Sequence, residues 1–136
     1  MIKKLLSTDI SALVNYDFSL LVLRVGAGLL ILTHGWPKMM KVLDGDFAFL
    51  DPIGLGAVLS LILAAIAEGI CGILVTLGLG TRIASFILAI NMAVVAFVAH
   101  ADDPFGTKEK GLLFLLLFVV ILFTGAGKYS LDEKLT

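Results

Sequence analysis

Arg24 and Glu68 are charged side chains set inside long apolar runs. At mid-membrane each costs about 2.5–3.5 kcal/mol on insertion scales, so each calls for a partner. Their depths can be compared. Arg24 follows Phe18, the start of its run, by six positions, which at 1.5 Å per residue puts it roughly 9 Å below one membrane face. Glu68 follows Ile53 by fifteen positions in a helix running the other way, so it has descended about 22 Å of a layer about 30 Å thick and lies roughly 8 Å from the same face. The match predicts an Arg24–Glu68 ion pair inside a helical bundle, serving either to fix helix register or to handle a proton or ligand. Asn91, near the middle of the third run, is expected to join the Arg24 network or to bond a backbone carbonyl.

A second polar group falls near the opposite face. His34 and Lys38 are four apart and share a helix face if the helix continues past Gly35 and Pro37; His100 ends the third run and Glu109 opens the fourth. Together they could hydrogen-bond a quinone carbonyl or move its protons, because histidine titrates near neutral pH and lysine supplies a fixed cation. Taken singly, each histidine also suits a membrane interface without any task. Two histidines on different helices could hold a haem iron, but no third ligand accompanies them, and no metal site is expected.

These residues must be positioned by membrane helices. Of 136 residues, 60% are hydrophobic and 15% charged, with a mean hydropathy of +1.09, more apolar surface than a soluble domain of this size can hide. The chain reads as one all-α transmembrane domain over 1–136. Its spans fall at about 18–36, 53–79, 82–99 and 111–125, lengths near those that cross the hydrocarbon layer. They are helices because lipid offers the backbone no hydrogen-bond partner and the runs lack the alternation of a strand. The fold expected is an integral membrane four-helix bundle with antiparallel neighbours.

Local punctuation supports these limits. Asp17, Asp51 with Pro52, and Thr107 read as helix starts; Pro37, Gly78 and Gly80, and Gly125 with Gly127 read as stops. Ile2, Leu5, Leu6, Leu13 and Val14 suggest a short N-terminal helix lying in the interface, with a frayed tail as the alternative. Trp36 and Tyr129 stand at span ends, where amphipathic rings favour the headgroup region. Small residues recur every fourth position at Ala65 and Gly69, at Gly72, Thr76 and Gly80, and at Ser85, Ala89 and Ala93. They mark close helix packing within the bundle or a seam between copies. Cys71 is the single cysteine, which excludes an internal disulfide and a dithiol relay and leaves a buried small side chain. A net charge of −1 gives no basic field for nucleic acid. The terminal side holds Lys3, Lys4, Arg82, Lys128 and Lys134 against Lys38, Lys41, Lys108 and Lys110 opposite, a five-to-four bias toward cytoplasmic termini.

The chain resembles the DoxX family of small membrane proteins. The resemblance rests on Leu23-Arg24, His34-Gly35 with Lys38, Glu68-Gly69 with Gly72, Gly78-Leu79-Gly80-Thr81-Arg82, Asn91-Met92, His100, Glu109 and the closing Gly125-x-Gly127-Lys128-Tyr129-Ser130-Leu131-Asp132. It implies a four-helix protein of the bacterial inner membrane tied to oxidoreductase systems, as in a thiosulfate:quinone oxidoreductase whose membrane subunit works with a separate partner. The leading expectation is therefore a membrane subunit of a quinone-linked oxidoreductase with a soluble or membrane partner, since the chain has no cofactor signature able to accept electrons alone. In that reading Arg24 and Glu68 organise the bundle, and His34, Lys38, His100 and Glu109 line the quinone site or a proton path. A non-catalytic anchor for a soluble redox enzyme is the alternative; a small-solute transporter, enclosed by a dimer, is a third.

Overall fold

The structure is a computed structural model that describes residues 2–6 and 15–136. Among the described residues every regular element is helical: α1 (Ile2–Leu5), α2 (Tyr16–Leu43), α3 (Ala57–Leu77), α4 (Thr81–Ala99), α5 (Phe105–Thr124) and α6 (Leu131–Leu135). Leu13 and Val14 of the expected interfacial helix lie outside the described residues. The helices α2, α3 and α4 are long and apolar enough to cross a membrane. The fourth long helix, α5, has 20 residues, but Lys108, Glu109 and Lys110 occupy its first two turns. Its apolar part, Gly111 to Thr124, covers about 20 Å at 1.5 Å per residue.

Several helix limits differ from expectation, each for a local reason. Asn15, rather than Asp17, caps α2; its Oδ1 accepts from the N–H groups of Asp17 (3.0 Å) and Phe18 (3.3 Å). The helix also runs through Pro37 to Leu43. Pro37 offers no N–H to the Thr33 carbonyl, yet packing of the following turns keeps them helical. Asp51 and Pro52 do not start α3, because Gly54 and Gly56 adopt left-handed φ values of 75° and 93° that an α-helix cannot contain. The Asp51 carboxylate instead accepts from Leu55 N–H (2.8 Å) and Ser60 Oγ (3.1 Å), bracing the loop against the first turns of α3. Thr107 sits within the first turn of α5, and Pro104 precedes it. The glycine stops are as expected: Gly78, Gly80 and Gly125 all take positive φ.

The bundle closes around Ala27, Ile31, Cys71, Val75, Leu88, Met92, Phe114, Phe118 and Ile121. The α2–α3 seam is its tightest, and small residues make it so. A Cβ on Gly28 would overlap Thr76, one on Gly35 would overlap the backbone of Glu68, and one on Gly69 would overlap the Met39 side chain. Ala65, Gly69, Gly72, Ser85 and Ala89 are all buried within the bundle, so these small positions serve internal packing. Both α3 and α4 contain a widened π-helical segment, Ala65–Ile70 and Val95–Ala99; the first contains Glu68.

The end of the bundle that holds the C-terminus is tied by one buried guanidinium. Arg24, 2% exposed, donates Nη1–H to the carbonyls of Val75 (3.0 Å) and Thr76 (2.5 Å) and Nη2–H to the carbonyl of Tyr129 (2.6 Å). Val75 and Thr76 belong to the last turn of α3, where the carbonyls run out of helical partners and carry the negative end of its dipole; the Val75 carbonyl also accepts Gly78 N–H (3.1 Å). Asp132 completes the tie: its carboxylate accepts from Gly80 N–H (2.7 Å) and Thr81 N–H (2.9 Å), while its own N–H donates to the Gly78 carbonyl (2.8 Å).

Partial burial pushes the Asp132 carboxyl up, but the N–H groups of Thr81 and Gly80 and the Arg24 charge outweigh it and hold it below the usual carboxylate range. A carboxyl depressed in the folded state stabilises fully above its unfolded value, near 3.9, and loses that contribution as pH falls through the folded value. Thermal unfolding in detergent therefore shows Asp132→Asn below the parent by a constant margin from about pH 8 to 5, and the margin shrinks below about pH 4. A margin that widens on acidification contradicts the latch. Gly35→Ala forces α2 off α3 and costs about 1–3 kcal/mol, whereas Gly26→Ala, whose Cβ meets nothing within 4 Å, is neutral or raises the melting temperature slightly. Comparing the two melting curves checks this.

Candidate functional site

Glu68 is 3% exposed, deep in the π-helical turn of α3, and faces Gly35 across the seam. The expected Arg24–Glu68 pair does not form. Gly35 and Glu68 are level, so Arg24, eleven residues earlier on α2, lies about 16 Å away along the axis. The two helices do not share end planes: with Gly28 level with Thr76, α2 starts about three turns before the level at which α3 stops. Side-chain direction widens the gap, since helical side chains lean toward their own N-termini and these helices are antiparallel.

The partner of Glu68 is Lys38. Its Nζ lies 2.5 Å from Glu68 Oε2, with side-chain exposures of 21% and 4%. The other carboxylate oxygen, Oε1, accepts from Asn91 Nδ2 at 2.9 Å, so Asn91 joins the Glu68 network rather than that of Arg24. The Lys38 ammonium also donates to the His34 carbonyl at 3.1 Å. The His34 ring stands edge-on to Phe114 (centroids 5.9 Å apart), and Phe114 stacks on Phe118 at 6.0 Å. Three helices thus contribute a carboxylate, an ammonium and an amide to one cluster, with an imidazole and aromatic rings beside it on α2 and α5.

This arrangement is chemically pointed. Glu68 uses one oxygen on a cation and the other on a neutral donor, which suits a charged carboxylate in a low-dielectric interior. Lys38 has three N–H donors and uses two of them within the protein, on Glu68 and His34. The third has no acceptor among the described residues, and the Lys38 side chain keeps 21% exposure.

The other expected site residues do not join it. His100 ends α4, and its Nδ1 lies 2.6 Å from Asp103 Oδ2. That carboxylate, which the sequence reading passed over, fixes the ring and directs Nε2 away. Glu109 is exposed on the first turns of α5 and makes no polar side-chain contact among the described residues. No group of three or more His, Cys, Asp or Glu residues able to hold a metal occurs among the described residues. The sequence did hold a signal for the true pairing: with helical side chains leaning to their N-termini, Glu68 leans toward the loop side, where Lys38 lies.

Lys38→Met leaves a buried carboxylate without its cation and lowers stability by about 3 kcal/mol, the low end for a broken buried pair because Lys38 keeps some exposure. Lys38→Glu combined with Glu68→Lys recovers part of that loss, whereas Arg24→Glu combined with Glu68→Arg recovers none. A double-mutant cycle on unfolding in detergent separates the two pairings, and rescue by the Arg24 exchange would contradict the geometry.

The DoxX family model matches residues 19–101, which include Arg24, His34, Lys38, Glu68 and Asn91. A Bacillus subtilis (strain 168) protein named "Putative oxidoreductase CatD" is 32% identical, the match covering 87% of this chain and 87% of that protein. A Mycobacterium tuberculosis protein named "Uncharacterized membrane protein Rv3486" is also 32% identical, over 87% of this chain and 82% of that protein. "Inner membrane protein YphA" of Escherichia coli (strain K12) is 27% identical, over 85% and 89% respectively. No solved structure matches the chain. With its family model spanning more than half the sequence and its long apolar helices packed into a bundle, the chain is a membrane protein that belongs to the DoxX family.

Proposed function

We propose that this protein is the membrane subunit of a quinone-linked oxidoreductase, with Lys38, Glu68 and Asn91 forming the polar end of a quinone site beside His34. The observation that carries the reading is the buried Lys38–Glu68–Asn91 cluster. Holding a carboxylate in an apolar bundle is costly, and a bilayer protein that needed only helix register could have used apolar packing instead. The relative named as an oxidoreductase supports the redox side of the reading.

The residues fit a quinone headgroup. Its carbonyl oxygen would accept the remaining N–H of Lys38, and its ring would lie near His34 and Phe114, with aliphatic tails leaving through the apolar flank of the bundle. A quinone supplies two-electron, two-proton chemistry. The chain's own part is to orient the ring, exclude water and hold a proton on Lys38 with Glu68 as its counter-charge. In this reading electrons reach the site from a partner protein. The same reading places the protein in the bacterial inner membrane as four spans with both termini cytoplasmic. His100 and Asp103 lie outside the binding contacts and at most exchange protons with the aqueous side.

Gentle purification in native-lipid nanodiscs, followed by solvent extraction and absorption spectroscopy, tests this directly. Wild type retains a quinone, Lys38→Met retains about tenfold less, as expected for losing one charge-assisted hydrogen bond, and His100→Ala retains the wild-type amount. Absence of quinone from wild type, or equal retention in Lys38→Met, removes the proposed site.

A further inference from the structure

The outer face of α2 carries polar groups that a plain lipid-facing helix does not need. Gly35 lies against the Glu68 backbone, and Glu68 stands eleven residues from the start and nine from the end of α3. Trp36, next in the chain, is therefore level with the middle of a helix long enough to cross the apolar layer. Expected at a span end, it is instead followed by seven more residues of α2, to Leu43. Its ring is turned outward, 57% exposed, and its indole N–H makes no hydrogen bond among the described residues. One turn earlier, the Thr33 carbonyl points along the same flank toward Pro37, which has no N–H to give it. The exposed Thr33 hydroxyl donates elsewhere, to the Leu30 carbonyl at 2.7 Å. A donor and an acceptor thus face hydrocarbon, which offers a partner to neither.

Packing on this face tells the same story. Val22, Gly26, Leu29, Thr33 and Trp36 recur at helical spacing along one flank of α2. Gly26 stands among them with open space outside, since a Cβ there meets nothing within 4 Å, whereas Gly28, Gly35 and Gly69 each face a close neighbour. Glycine weakens a helix interior relative to alanine, and no contact inside the chain accounts for this one. A second helix approaching from outside does.

The offset between donor and acceptor selects that second helix. Copies inserted alike in one membrane pair about a twofold axis along the membrane normal, which sets the two α2 helices parallel and at equal depth. Helical side chains lean over the turn that precedes them, so the Trp36 ring of each copy reaches the level of Thr33 in the other. We propose that this flank of α2 is the seam of a homodimer, in which each Trp36 indole N–H donates to the Thr33 carbonyl of the other copy and Gly26 lets the helices approach. Symmetry makes the contact twice. Lys38 lies two residues, about 200° of helix, from Trp36 and so on the opposite side of α2. The seam makes no use of Lys38, Glu68 or Asn91, and its test is separate from that of the quinone site.

Trp36 is the chain's single tryptophan, so the native protein reports on its own seam. Full-length protein is reconstituted in phosphatidylcholine vesicles brominated at mid-chain, and tryptophan emission is followed as protein is diluted into lipid. Emission is shielded from bromine at high protein-to-lipid ratio and becomes quenched on dilution, as the pair separates. Gly26→Leu, which props the helices apart from outside the bundle, keeps the wild-type melting temperature in detergent but is quenched already at high protein-to-lipid ratio. Trp36→Phe keeps an aromatic ring and loses the N–H. Capture of untagged by tagged copies from mixed vesicles shows its self-association weakened about tenfold, as expected for two interhelical hydrogen bonds. Full quenching of wild type at every ratio, quenching of Gly26→Leu that merely follows wild type, or undiminished capture in Trp36→Phe overturns the proposal.

Discussion

A charge inside lipid has to be answered within the protein, and this constraint shapes both ends of the bundle. The two ends answer it differently. Both terminal nitrogens of Arg24 are held by backbone carbonyls at the end of α3 and in the closing turn. Glu68 is satisfied by side chains from two other helices. The first solution uses a fixed feature of helix geometry and locks the fold. The second uses groups that can change partners, and so is the one suited to chemistry.

Close helix contact makes the second solution reachable. Gly35 allows α2 to lie against the backbone of Glu68, and Gly69 makes room for Met39. Without that approach the Lys38 ammonium, three residues beyond Gly35, could not span the seam. Small residues thus determine the geometry of the charges as much as they determine packing density. The π-helical turn that contains Glu68 adds to this by widening α3 at the point where its side chain must reach inward. Asn91 then ties α4 to the same carboxylate, so one buried group couples three helices.

Much of the fold was legible in the residues. Hydropathy marked the four long helices, and the glycine pairs at 78 and 80 and at 125 and 127 marked their turns, because positive φ is a local property that glycine advertises. The helix starts were less legible. Asn15 in place of Asp17, and Gly56 in place of Asp51, act through caps and turns whose register depends on a single residue's φ. Of the site, Glu68, Lys38, His34 and Asn91 were all visible as polar groups in or beside apolar runs, but their grouping was not. Span ends give depth only when helices share end planes, and an offset of about three turns between neighbouring helices is enough to assign Glu68 the wrong cation.

The sequence alone determined that the chain is helical, that it belongs in a membrane and that its few buried charges must be matched, since these follow from composition and from the energetics of lipid. Tertiary structure alone decided which groups match. Partner choice depends on helix stagger, on the lean of side chains toward helix N-termini and on where glycine permits contact. All three are relations between helices rather than properties of any one of them, which is why Glu68 meets Lys38 while Arg24 holds the far end closed.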